Sequence, residues 1–130
     1  MIIGIGTDVC DITRIKAVLE RHGQRYKDRI FTPGEQAYCD ARKESAASYA
    51  KRWAAKEAFA KALSTADSPH LKWQDVEITN GPSGKPQISL HGDALARLAD
   101  MTPKGLKGHV HLTLSDELPY ALAFVIIEAH

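Results

Sequence analysis

The stretch SAASYAKRWAAKEAFAKAL, residues 45–63, decides the fold. It holds no Gly or Pro and is dominated by Ala, the strongest helix former. Nineteen such residues are enough for a stable helix once one face is packed. Helical spacing puts Ala46, Ala50, Trp53, Glu57, Ala60 and Lys61 in one stripe. Glu57 therefore lies in line with a Trp and small alanines, where an apolar residue is expected. A carboxylate is costly to hide unless a positive group meets it. A Glu57–Lys61 pair at i, i+4 is worth a few tenths of a kcal/mol. It accounts for Lys61 but not for Glu57 sharing a stripe with Trp53.

Working outward, the flanking segments read as a mixture of strands and helices. Ile2, Ile3, Ile5 and Val9, interrupted by Gly4 and Gly6, suggest a buried strand that lets another backbone come close. Asp11 or Thr13 can cap a helix to about His22, with Gly23 ending it. Thr32, Pro33, Gly34 and Glu35 form a capping box with Pro at the first helical position, opening a short helix to about Ala41. Ser64 to Leu71 reads as a loop. Val76, Ile78, Ile88 and Leu90 alternate with polar residues around Asn80–Gly84, which predicts a hairpin. Asp93–Asp100 has helical periodicity, and Val110–Leu114 with Tyr120–Ile127 predicts a closing hairpin around Asp116 and Pro119. There is no regular strand–helix–strand alternation, so the expected fold is α+β, with a mixed or antiparallel sheet and one long Ala-rich helix. A chain of 130 residues without repeats, linkers or low-complexity runs is one domain, 1–130.

Composition excludes some classes of function. The formal charge of +1 is unremarkable, but Arg14, Lys16, Arg21, Arg25, Lys27 and Arg29 crowd one region, opposed only by Glu20 and Asp28. That patch predicts an acidic partner, or else a solvated face. No second basic stripe and no aromatic-interleaved strand accompanies it, so nucleic acid is not the expected partner. Cys10 and Cys39 form neither a metal pair nor a redox motif and suit a reducing compartment. Met1–Cys10 lacks a basic leader and is broken by glycines, so no signal peptide is expected, and Tyr120–Ile127 is too short to span a bilayer. The expected location is the cytoplasm.

Asp8 ends the first strand. It and Glu57 come from separate elements, and one or two carboxylates plus phosphate oxygens are what magnesium prefers. The plainer reading is that Asp8 caps a turn. Gly84, Lys85 and Pro86 read as a hairpin turn, or as a loop whose backbone and lysine approach a phosphate. His109 and His111 share one side of a strand, but no third ligand type clusters with them, so hydrogen bonding is expected rather than zinc. No nucleophile–base–orienter set is legible, which gives acyl-enzyme chemistry no support.

Several ordered segments together resemble the holo-acyl carrier protein synthases, the small 4′-phosphopantetheinyl transferases. These are Gly4-Ile5-Gly6-Thr7-Asp8 with Arg14 and Ile15; Phe31 and Thr32 with Glu35; Arg52 to Leu63; Asp75–Ile78 with Asn80 and Gly84–Pro86; and His111–Ser115 with Tyr120, Ala121 and Glu128. The resemblance implies transfer of the phosphopantetheine arm from coenzyme A to a serine of apo-acyl carrier protein, in support of fatty acid biosynthesis. Adenosine 3′,5′-bisphosphate is released. It implies Mg2+ on Asp8 and Glu57, with Lys61 and Arg52 neutralising the phosphates. Lys43, beside Arg42, would reach the 3′-phosphate, from a neighbouring subunit. Gly84, Lys85 and Pro86 would line the nucleotide site, with Asp116 near it. Arg14, Arg21 and Arg25 would meet an acidic carrier. It also implies a homotrimer with sites between subunits. The nucleophile then belongs to the carrier, and its proton would pass to a metal-bound water or to a site carboxylate.

Two departures from the family pattern stand out. Ser64-Thr65-Ala66-Asp67 replaces a glycine-rich turn, and Ser115-Asp116 replaces Ser-His, so no histidine base is available there. The same two acids would also serve a magnesium-dependent phosphohydrolase. The basic helix alone would serve a nucleotide- or RNA-binding module. A plain interaction domain, with Asp8 as a turn cap and Glu57 paired to Lys61, is the third alternative.

Overall fold

The structure, a computed structural model, describes residues 1–63 and 71–130. The elements run β1 (Ile2–Asp11), α1 (Ile12–His22), α2 (Gln24–Ile30), α3 (Pro33–Asp40), α4 (Ser45–Leu63), a 3-10 turn at Trp73–Asp75, β2 (Val76–Asn80), β3 (Pro86–Leu90), α5 (Gly92–Met101), β4 (Gly108–Glu117) and β5 (Tyr120–Ala129). Strands order as β1-β5-β4 in one sheet and β2-β3 in another. Every ladder among the described residues is antiparallel, so the α+β expectation holds in its antiparallel form.

Local chemistry explains most boundaries. The Asp11 carboxylate accepts from Thr13 N at 2.9 Å and starts α1. Thr32 and Glu35 close the capping box, with Thr32 N donating to Glu35 Oε1 at 2.9 Å and Glu35 N to Thr32 Oγ1 at 3.1 Å. The helix stop expected at Gly23 is present, and it parts Arg14 and Arg21 from Arg25. Gly23 takes φ 51°, which ends α1, and Arg25 sits on a separate helix, α2.

The glycines of β1 determine where α4 lies. A Cβ on Gly6 would stand 1.9 Å from the Ala58 carbonyl oxygen, and one on Gly4 would stand 2.3 Å from that of Ala62. The strand backbone therefore rests directly on the helix. Side chains on one face of a strand recur every second residue, so Asp8 follows Gly4 and Gly6 on the face toward α4.

The covering of α4 differs from the expected stripe. Ala54, Ala55, Ala58, Phe59 and Ala62 are buried, and so are Arg52 and Lys56, whereas Trp53 and Glu57 are half-buried and Lys61 is exposed. The helix is wedged between the three-stranded sheet, α1, α3 and β2, so burial comes from several sides. The stripe through Trp53 and Glu57 opens on a cavity instead of the core.

A fully buried ion pair holds the second sheet. Lys56 and Glu35 have no side-chain exposure. Lys56 Nζ donates to Glu35 Oε1 at 2.8 Å, Val76 O at 2.6 Å and Trp73 O at 2.9 Å, which uses all three ammonium protons. Glu35 Oε2 accepts from Ile78 N at 3.0 Å. Burial lowers the pKa of Lys56, and the Glu35 carboxylate opposes that shift. The pair bolts the β2–β3 hairpin to α3 and α4.

The other face of the three-stranded sheet has no cover from this chain among the described residues. The register Ile5↔Ile126, Thr7↔Phe124 and Val9↔Leu122 aligns an apolar surface across β1 and β5. Ile5 is 57 % exposed, Val9 60 % and Phe124 38 %.

Candidate active site

A cavity of about 280 Å³ lies between β1, α1 and α4. Asp8, Glu57, Arg14, Cys10, Tyr26 and Trp53 are among the residues that line it. The two acids expected to converge do so. Burial raises the pKa of Glu57, and the charge of Asp8 raises it further, the two carboxyls being close enough to share a hydrogen bond. Lys61 and Arg14 act in the opposite direction. Lys61 Nζ donates to Asp8 Oδ1 and to Thr7 O, each at 3.0 Å, so it serves the Asp8 side of the pair.

Two carboxyls held this close, with Glu57 disfavoured in its charged form by burial and by Asp8, make a seat for a cation. Among the described residues no cluster of three or more Asp, Glu, His or Cys is arranged for a metal. The donor set is therefore two hard oxygen ligands. That suits Mg2+, whose remaining positions go to phosphate oxygens and water. Cys10 is no competing nucleophile, because burial and then the Asp8 and Glu57 charges push its thiol up to about 11. Burial likewise pushes the Tyr26 phenol up to about 12, and it keeps its proton at neutral pH.

The remaining candidates lie elsewhere. Lys43 is exposed between α3 and α4, and Lys85 is exposed on the β2–β3 turn with Gly84 at φ 84°. Pro86 opens β3. Asp116 bonds to Lys51 at 3.2 Å. Arg52 is only 4 % exposed, and its Nη2 donates to Asn80 Oδ1 at 2.8 Å. Five residues of helix separate Arg52 from Glu57, so the two side chains project about 140° apart. None of these residues lines the Asp8–Glu57 cavity. Within one chain, Arg52 and Lys61 therefore face different surroundings. Ser64-Thr65-Ala66-Asp67 lies outside the described residues.

The basic region divides in two. Arg14 lines the carboxylate cavity itself, a placement that its position in a charge cluster did not reveal. Arg25 joins His22, Tyr26 and Arg29 around a cleft of about 240 Å³. Among the described residues no acid lies within ion-pair distance of Arg14, Arg21, Arg25 or Arg29. At the far end of the sheet, His111 Nε2 lies 3.0 Å from Glu128 Oε1 and the His109 ring stacks on His130 at 4.0 Å. The expected hydrogen bonding is met by His111, and two side chains from the chain's end, which the spacing did not reveal, complete the group.

Known proteins resemble this chain in sequence and fold. The model of the 4′-phosphopantetheinyl transferase superfamily matches residues 4–123. The holo-[acyl-carrier-protein] synthase of Methylorubrum extorquens (strain PA1) is 55 % identical over 129 residues, spanning 99 % of this chain and 95 % of that protein. The crystal structure of the Neisseria meningitidis holo-[acyl-carrier-protein] synthase superposes with a TM-score of 0.82 at 37 % identity, covering 98 % of this chain and 99 % of that one. That of the Helicobacter pylori synthase, in complex with coenzyme A, superposes with a TM-score of 0.78 at 25 % identity, covering 95 % and 99 %. A family match over nearly the whole chain, added to a carboxylate pair suited to a hard dication beneath a basic helical face, means that this chain belongs to the 4′-phosphopantetheinyl transferase superfamily.

Proposed function

We propose that the chain transfers the 4′-phosphopantetheine group of coenzyme A to a serine of apo-acyl carrier protein, releasing adenosine 3′,5′-bisphosphate and supporting fatty acid biosynthesis. The observation that carries the reading is the convergence of Asp8 and Glu57 in one cavity with Arg14, beside Lys61. Asp8 and Glu57 would hold Mg2+, which when bound neutralises and orients the diphosphate. Lys61 adds a positive charge held against Asp8. Arg14 adds a second cation on the α1 side. The carrier's serine oxygen attacks the phosphorus bearing the pantetheine arm, and the bond to the adenosine bisphosphate oxygen breaks. The chain needs no activated side chain of its own for that step.

Incubating apo-carrier protein with this chain, coenzyme A and Mg2+ should add the mass of one phosphopantetheine arm to the carrier, and chelation should stop the addition. Release of adenosine bisphosphate with no acceptor present would favour a phosphohydrolase instead.

The α1–α2 surface is the docking face for the acidic carrier. Arg14, Arg21, Arg25 and Arg29 lack internal acidic partners among the described residues, which leaves their charge for a partner. Arg25→Ala should raise the KM for carrier protein by about three- to tenfold and flatten its salt dependence, with the KM for coenzyme A unchanged. An unchanged salt response would remove Arg25 from the docking face.

The active form is a homotrimer whose sites lie between subunits. Two observations favour this. The outer face of the sheet carries Ile5, Val9, Leu122 and Phe124, all exposed and adjacent in register, and contiguous apolar surface of this kind marks an interface. In addition, Lys43 and Gly84–Pro86 lie off the Asp8–Glu57 cavity of their own chain, so a neighbour would bring the nucleotide half to the metal half. The setting is the cytoplasm, where two free, buried thiols remain reduced. No described helix is long and apolar enough to cross a membrane.

A further inference from the structure

Along β4 the uncovered sheet face stops being apolar. Leu112 of β4 is buried, and so are Ala121, Ala123, Val125, Ile127 and Ala129 of β5. Alternation therefore turns His109, His111 and Glu128 outward, on the side of Phe124 and Ile126. Ile5, Ile126 and His111 stand in one row across the three strands. The apolar patch runs straight into a group of titratable side chains.

That group is held together by contacts of its own. His111 Nε2 lies 3.0 Å from Glu128 Oε1, and His130 Nε2 lies 3.9 Å from the same oxygen. The rings of His109 and His130 are stacked, 4.0 Å apart and 9° from parallel. Backbone bonds pin His130 in place: its N–H donates to Lys107 O and Lys107 N donates to its O, each at 3.0 Å. Among the described residues Glu128 is the only acid within ion-pair distance of these imidazoles.

Burial lowers the pKa of His109, and the charges of His130 and Lys107 lower it further. Glu128 is held below its usual range by the His111 hydrogen bond, with the charges of His130, His111 and the Met1 ammonium acting the same way. Glu128 therefore stays ionised, but one carboxylate cannot offset three imidazolium ions. Protonation turns the group from net negative to net positive, beside Lys107 and the Met1 ammonium, and sets two like charges face to face in the stacked pair.

We infer that His109, His111 and His130, with Glu128, form a proton-sensitive seam of the subunit interface, which accepts the neighbouring subunit when the imidazoles are neutral and repels it when they are charged. The inference rests on the reading of the Ile5–Phe124 face as the contact between subunits, and it makes that contact responsive to pH. A closed ring repeats every such charge in each subunit. Assembly then lowers the proton affinity of the imidazoles, so separated subunits bind more protons and acid favours separation.

Light scattering of the whole chain over a dilution series, at about pH 7 and about pH 5, tests the seam on either side of the usual imidazole range. Each additional proton bound by the separated subunits changes the association constant tenfold per pH unit, so the dissociation constant should rise at least about tenfold in acid. The circular dichroism spectrum should not change. Salt at about 1 M should restore assembly in acid, because it screens exposed charges. The triple variant His109→Gln/His111→Gln/His130→Gln gains no charge and should keep its mass at both pH values. His130→Gln alone, outside the strands, should move the midpoint of dissociation to lower pH. Equal dissociation constants at the two pH values, or acid dissociation unchanged in both variants, would overturn the seam and leave the interface reading standing. Acid dissociation with loss of the dichroism signal is unfolding, and also sinks the seam. A wild type that is monomeric at both pH values removes the seam and the interface together.

Discussion

Glu57→Gln is expected to fold normally and to transfer phosphopantetheine at least about a thousandfold more slowly at saturating Mg2+, a loss of roughly 4 kcal/mol of transition-state stabilisation. The neutral amide keeps the size of the side chain and removes half of the cation's anionic seat. Stability should move the other way. In the metal-free protein Asp8 and burial both disfavour the charged form of Glu57, so its folded pKa lies above its unfolded one. Glu57 therefore contributes stability in acid that is lost as the pH rises through its folded pKa. Gln has no charge to hide, so at neutral pH the variant should unfold at an equal or higher denaturant concentration than the wild type. The gap between them should narrow as acid protonates Glu57. Adding Mg2+ should raise the melting temperature of the wild type and leave that of the variant unchanged. Normal transfer by Glu57→Gln would refute the metal assignment. A Mg2+-dependent stabilisation that survives in the variant would move the ion elsewhere.

The legible parts of the molecule were those set by local chemistry. The Thr32–Glu35 capping box, the Gly4–Gly6 approach, the two hairpins and the long Ala-rich helix each follow from residues within a few positions of one another, and each is present in the structure. The unread parts depend on which face of α4 meets which neighbour. Glu57 stood out in the sequence because it shares a stripe with Trp53, yet the most deeply buried charge is its neighbour Lys56. Periodicity along α4 cannot reveal that Glu35, already spent on a capping box, presents its carboxylate to Lys56 as well. The same limit applies to Arg52, whose partner Asn80 is 28 residues away on a strand end. Gly23 was legible as the stop of α1, but a glycine that ends one helix reveals nothing of whether another starts on its far side.

These placements give α4 two working sides. Glu57 and Lys61 serve the carboxylate cavity, while Arg52 and Lys56, one turn apart, anchor the tip and the base of the β2–β3 hairpin. Under the proposed homotrimer, the helix holds both sides in fixed relation, and the coenzyme would meet the metal half on one chain and the nucleotide half on its neighbour.

That arrangement leads to the second large effect. Phe124 lies near the middle of the uncovered sheet face, opposite Thr7 on β1 and Thr113 on β4. Phe124→Glu would place a carboxylate in an apolar interface, a desolvation cost of several kcal/mol in each subunit. The native assembly should have three times the mass of one chain by light scattering. The variant should run as a monomer with an unchanged circular dichroism spectrum, and its transfer rate should fall by about two orders of magnitude or more as the composite site comes apart. Subunit mixing then tests who contributes what. Glu57→Gln removes the metal half, and a Lys43→Ala/Lys85→Ala double variant weakens the nucleotide half. Unfolded together and refolded as a mixture, the two should regain activity, because about a quarter of the interfaces would pair an intact metal half with an intact nucleotide half in a randomly assembled ring. Sites contained within single chains would regain none, and a fully active Phe124→Glu monomer would refute the shared site directly.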